Sequence, residues 1–198
     1  MYSPRAISAP DLATGGTDGA DSTLADQADI PGNVMMWIFI IGDLLVFSGL
    51  LIGFCVMKLL NRNAFADAQS MLAVAPAILE TFALIISGWL AAIAVECQRH
   101  ERRFKPALIG AMACGLLFLV FKIQEYAISI DRFNYEATFA QIYYLITGFH
   151  ALHVTLGLVL FSLSFLKSQQ HYLADYARYW HFTDMIWLMI FPTLYIIR

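Results

Sequence analysis

Five long apolar runs, set apart by short polar hinges, constrain this chain more than any other feature. They cover roughly residues 34–56, 72–95, 107–128, 139–166 and 179–197. Each holds about the 20 helical residues needed to cross a ~30 Å hydrocarbon core. A backbone in lipid must satisfy its own polar groups, so such runs fold as helices or as a closed barrel. Barrel strands are about ten residues long and alternate strictly. These runs are longer and do not alternate. The predicted fold class is all-α: a polytopic membrane bundle of five transmembrane helices. Its sharpest hinge is 96–105, with four basic residues.

Composition closes off the other classes. Hydrophobic residues make up 60% of the 198 and charged residues 14%, against roughly 45–50% and 25% in soluble domains. A water-soluble globule, a disordered chain and a disulfide scaffold are excluded. A net charge of −3 does not suit a nucleic-acid binder. Cys55, Cys97 and Cys114 show no short metal or redox spacing and read as small buried hydrophobes.

Residues 1–30 contrast with the rest. Asp11, Asp18, Asp21, Asp26 and Asp29 lie among Gly, Ala, Ser and Thr, with Arg5 the single basic residue. This segment is expected to be a disordered or loosely docked acidic tail, not a cleaved signal peptide. Pro31-Gly32-Asn33 marks the turn into the membrane domain, 31–198.

The basic residues of the flanks set an orientation. Arg5, Arg99, Arg102, Arg103, Lys105, Lys167 and Arg178 fall on one side; Lys58, Arg62, Arg132 and Arg198 fall on the other. The richer side is expected to be cytoplasmic, with the amino terminus inside and the carboxyl terminus outside.

Ionisable groups inside the membrane each need an explanation. Asp43 and Glu80 are expected near mid-depth in the first and second helices, as carboxyls able to exchange protons. Lys122 and Glu125 are one turn apart on the third helix and can pair. His150 and His153 share a face of the fourth helix, and His181 and Asp184 share a face of the fifth. These six form a candidate polar seam. Its bland reading is interhelical glue without chemistry. A His/carboxylate metal site is the sharper alternative, and a small proton carrier using Asp43 and Glu80 is another. Only five histidines are present, and two of them, His100 and His171, lie in hinges. The chain is therefore expected to hold no metal and no redox centre of its own. Gly49 and Gly53, and Ala111 and Gly115, are small-xxx-small steps that permit close helix contact. Tyr143, Tyr144, Tyr179 and Trp180 suit interfacial belts or interhelical packing.

Two stretches carry a family resemblance. Gly148-Phe149-His150-Ala151-Leu152-His153-Val154, followed by 179–188 (Tyr-Trp-His-Phe-Thr-Asp-Met-Ile-Trp-Leu), resembles subunit III of the haem-copper oxidases in order and separation. Glu125-Tyr126, Ser87-Gly88, Gly42-Asp43 and Leu79-Glu80-Thr81 also sit where the family carries similar steps. Ala151 stands where the family usually has Gly, Thr183 where it has Val, and Asp43 where seven-helix members have Glu. Five runs in place of seven resemble the short bacterial members, among them quinol and cytochrome c oxidase subunits. Lys122-x-x-Glu125-Tyr126 and Phe191-Pro192-Thr193-Leu194-Tyr195 are most similar to the members associated with nitric oxide reductase.

The resemblance implies a non-catalytic accessory subunit in a bacterial inner membrane. Haem, with copper or iron, would reside in the catalytic partner subunit, and phospholipid would be bound. Asp43 would be the buried carboxyl near the side of proton uptake.

Overall fold

The computed structural model describes residues 34–70, 72–132 and 137–197, so the acidic tail at 1–30 lies outside the described residues. All regular structure among the described residues is helical. The helices are α1 (Val34–Leu60), α2 (Arg62–Ser70), α3 (Val74–Arg99), α4 (Lys105–Arg132), α5 (Ala137–Leu163) and α6 (Leu173–Phe191). A short 3-10 helix, Lys167–Tyr172, leads into α6, and a π-helical turn, Pro192–Ile196, follows it. By length and composition, α1, α3, α4 and α5 can each cross a membrane. In α6, Asp175, Arg178 and Asp184 fall within 19 residues, which dilutes its apolar character.

Helices α3, α4, α5 and α6 close a ring: α3 packs on α4, α4 on α5, α5 on α6 and α6 on α3. The α3 face explains the close approach. Ala77, Glu80, Leu84, Ser87, Ala91 and Ala94 recur at three- and four-residue steps and are all buried, so mostly small side chains meet the neighbouring helices. Ser87 Oγ donates to the Ala111 carbonyl of α4 at 2.7 Å, an interhelical hydrogen bond made possible by that closeness.

Helix α1 flanks the ring against α5 and α6. One stripe, Phe47, Leu51 and Phe54, is buried, while Ile38, Leu45, Ile52 and Leu60 are each more than 60% exposed. In a membrane chain such faces meet lipid or another protein rather than water.

Several expectations are corrected. The hinge at 96–105 is shorter than its polar sequence suggests, because α3 runs on to Arg99; Glu101, at φ 54, makes the reversal. The last helix begins at Leu173, ahead of the apolar run at 179. The stretch after α1 is a helix, not a plain hinge: Phe65, Ala68 and Gln69 line its buried face. Glu80 sits nearer the start of its helix than the apolar run suggests, because α3 begins at Val74 and runs on to Arg99. It lies six residues into the 26-residue α3, about 9 Å from that end at ~1.5 Å per residue. Asp43 lies about 13 Å from the start of α1 by the same rise, toward the opposite end of the bundle.

The two small-residue steps also diverge. A side chain at Gly115 would meet Trp180 and Leu158, whereas nothing lies within 4 Å of the Cβ position at Gly49 or Gly53. The α1 step makes no close contact within this chain, because α1 packs through its phenylalanine stripe instead. Tyr143, Tyr179 and Trp180 are fully buried and serve in packing rather than as an interfacial belt.

Candidate functional site: a polar column inside the bundle

Buried polar groups form two clusters, toward opposite ends of the bundle. The larger centres on Lys122 of α4, 1% exposed. Its ammonium is 2.7 Å from Glu80 Oε2 of α3 and donates to Glu125 Oε2 at 2.6 Å and to the Tyr195 hydroxyl at 3.2 Å. Of the three N–H donors of a lysine, two are hydrogen-bonded, to Glu125 and Tyr195, and Glu80 is held as an ion pair. Tyr195 donates to Glu125 Oε1 at 2.8 Å, and its hydroxyl is 3.0 Å from that of Tyr143. The ammonium also lies 4.5 Å from the centre of the Trp187 ring, a cation–π contact within the ~6 Å range of such pairs.

The π-helical turn makes this cluster possible. Pro192 lacks an N–H and disturbs the helical ladder, and the wider turn carries Tyr195 inward. The carbonyls released at this end are taken up by side chains from α2 and α1. Gln69 Nε2 donates to the Leu194 and Ile197 carbonyls at 2.8 and 3.2 Å, and Lys58 Nζ donates to that of Ile197 at 2.5 Å. Sequence reading missed Tyr195 and Gln69. Pro192, five residues before the end of the last apolar run, was the available signal for the turn.

The second cluster joins α1 to α5. His153 Nε2 is 3.1 Å from Asp43 Oδ2, and His153 Nδ1 is 2.8 Å from the Phe149 carbonyl. A carbonyl only accepts, so Nδ1 carries a hydrogen and Nε2 faces the carboxyl. Phe47 packs edge-on against the same ring, with centroids 5.3 Å apart.

His150 lies between the clusters. It is fully buried and stacks on Trp187 at 5.1 Å, with Phe118 against its edge. Neither ring nitrogen has a hydrogen-bond partner. Trp187 in turn donates to Thr81 of α3 at 3.0 Å.

His181 and Asp184 stand apart, facing α3 at Gly88. A Cβ there would come within 2.5 Å of Asp184 Oδ2 and 3.3 Å of His181 Nδ1; glycine is required for these side chains to fit. His153 is engaged with Asp43, His150 with Trp187, and His181 and Asp184 with the Gly88 surface. The four do not converge on a common point. Among the described residues no group of three or more His, Cys, Asp or Glu side chains could hold a metal ion.

A groove of about 410 Å³ runs along the outside where α1 meets α5 and α6. Phe39, Leu156, Leu160 and Tyr179 make it apolar, with Asp175 at its polar edge; Arg178 donates to Asp175.

Comparison with known proteins places the chain. The family described as cytochrome c oxidase subunit III matches residues 11–198. A cytochrome c oxidase subunit 3 from Cyanidium caldarium is 30% identical over 127 residues, covering 59% of this chain and 47% of that protein. A probable quinol oxidase subunit 3 from Staphylococcus aureus strain USA300 is 26% identical over 173 residues, covering 81% of this chain and 86% of the relative. The chain thus spans about half the length of the first and most of the second. With the family match extending over nearly all of its sequence, the chain belongs to the cytochrome c oxidase subunit III family.

Proposed function

We propose that this protein is a non-catalytic accessory subunit of a respiratory haem-copper oxidoreductase. It would stabilise the catalytic subunit and the lipid and proton-uptake environment around it during electron transport. The match of the subunit III family over residues 11–198 carries this reading. The polar column supports it, because most of its members are spent on one another: an ammonium paired with two carboxyls and a histidine set against Asp43 are fastenings between helices. The haem, with copper or iron, would belong to the catalytic partner.

In this reading α6 and its π turn form a fifth span. At 19 residues α6 alone is about 28 Å long, and its charged residues cluster in its first half or face inward. The amino terminus would be cytoplasmic and the carboxyl terminus outside, in a bacterial inner membrane, following the bias of basic flanks. Phospholipid would lie in the apolar groove between α1, α5 and α6. Asp43 would be the buried carboxyl on the proton-uptake side. The motif at Lys122, Glu125 and Tyr126, together with 191–195, favours a nitric oxide reductase as the complex.

Purification in mild detergent through a tag on this chain tests the proposal. A haem spectrum and a large co-purifying subunit are expected. Reduction assays with oxygen and nitric oxide then identify the acceptor. A pure, solitary chain with tightly held iron or zinc would overturn the reading.

A further inference from the structure

The Glu80–Lys122–Glu125 cluster carries an imbalance that the accessory role does not use. Two ionised carboxylates and one ammonium leave one net negative charge. Glu80 is fully buried and Lys122 nearly so, and an uncompensated charge in such surroundings is costly. Both carboxyl oxygens of Glu80 are buried without a hydrogen-bond partner, so two acceptors stand idle next to the imbalance.

A cavity of about 120 Å³ adjoins the cluster between the start of α3 and the end of α4. Glu125 lines it, together with Gln124, Ser129, Ala73, Pro76 and Ile128. About 10–15 Å³ suffices for one water if polar partners are present. This space admits several waters, and Gln124, Glu125 and Ser129 supply the partners.

We propose that the cluster holds one exchangeable proton, loaded and released through this cavity. Hydronium in the cavity gives its proton to Glu125 and leaves as water. Lys122 passes one of its protons to Glu80 and takes that of Glu125 in return. The loaded cluster is then one ammonium, one carboxylate and one carboxylic acid, with zero net charge, and the reverse transfers discharge it. The other titratable groups at the cluster are Tyr126 of α4, Tyr143, Tyr144 and His150 of α5, and Tyr195 of the π turn. On α6 itself, Trp187 is the neighbour. The inference concerns this chain alone and does not depend on which respiratory complex it joins.

Infrared spectroscopy of the full chain in detergent tests it. The wild type is expected to show a carboxylic-acid carbonyl band that shifts in D2O. Glu80→Gln and Glu125→Gln should each abolish that band, since either leaves a balanced carboxylate–ammonium pair with no proton to hold. Ser129→Leu fills the cavity without touching the cluster; it should keep the band and slow its deuterium shift severalfold. If the glutamine variants fail to fold, carboxyl-13C glutamate in the unaltered chain reads the same band. A labelled-glutamate band that survives both glutamine substitutions, no band from labelled glutamate in the unaltered chain, or exchange unchanged in Ser129→Leu would each overturn the proposal.

Discussion

Lys122 of α4 and Glu80 of α3 meet at 2.7 Å with almost no exposure to the surroundings, and this pair ties two neighbouring helices from within. Removing one partner of such a pair leaves the other charge buried and alone, typically a loss of 3–5 kcal/mol. Lys122→Met should therefore destabilise the bundle by about that much. Adding Glu80→Gln and Glu125→Gln to the same variant should restore a large part of the loss. Denaturation in detergent, monitored by circular dichroism, compares the two.

The Asp43–His153 contact is an ionisable link between α1 and α5. Interhelical polar contacts in membranes are worth roughly 0.6 to 2 kcal/mol, so His153→Ala should weaken folding or assembly by about 1–2 kcal/mol. Asp43→Asn should leave assembly intact and change proton uptake, or the number of turnovers before inactivation, in the purified complex. Unchanged behaviour in both assays would remove Asp43 from any role in function.

Trp180 is pressed between two glycines. A Cβ at Gly157 of α5 would lie 2.5 Å from its ring, and one at Gly115 of α4 2.7 Å. Gly157→Ala should cost about 1–3 kcal/mol through overpacking. Gly49→Ala meets nothing and should be neutral, or stabilise α1 by up to ~1 kcal/mol through helix propensity. Thermal stability of the isolated chain separates the two sites.

Gln69 serves carbonyls that the π turn sets free. Gln69→Ala leaves them without this donor, a loss of about 1–3 kcal/mol for buried acceptors. Faster amide hydrogen exchange is expected across residues 192–197, with α3 and α4 little changed.

The apolar runs made the principal helices legible, since a bilayer imposes a length that sequence displays directly. One-turn spacing put Lys122 beside Glu125 and His150 beside His153 on their helix faces. It could not show that Lys122 reaches Glu80, or that His153 reaches Asp43. Those partners depend on the order of helices around the ring, which no local periodicity encodes. Helix α2 was hidden because its nine residues are mostly polar and its buried face is only Phe65, Ala68 and Gln69. Gly49 and Gly115 look alike in sequence and differ in structure, because only one of them faces a neighbour within this chain.

The placement of α6 between α5 and α3, where it closes the ring, has a consequence for biogenesis. Translation proceeds from α1 onward, so α3, α4 and α5 enter the bilayer before Trp187 and Tyr195 exist. During that interval Lys122 lacks its aromatic platform and its tyrosine acceptor, and the cleft they will fill is open. Packing of α6 against α3 and α5 is thus the step that seals the interior. A nascent chain stalled before residue 187 would present an ammonium and two carboxyls to whatever insertase or quality-control protease attends it.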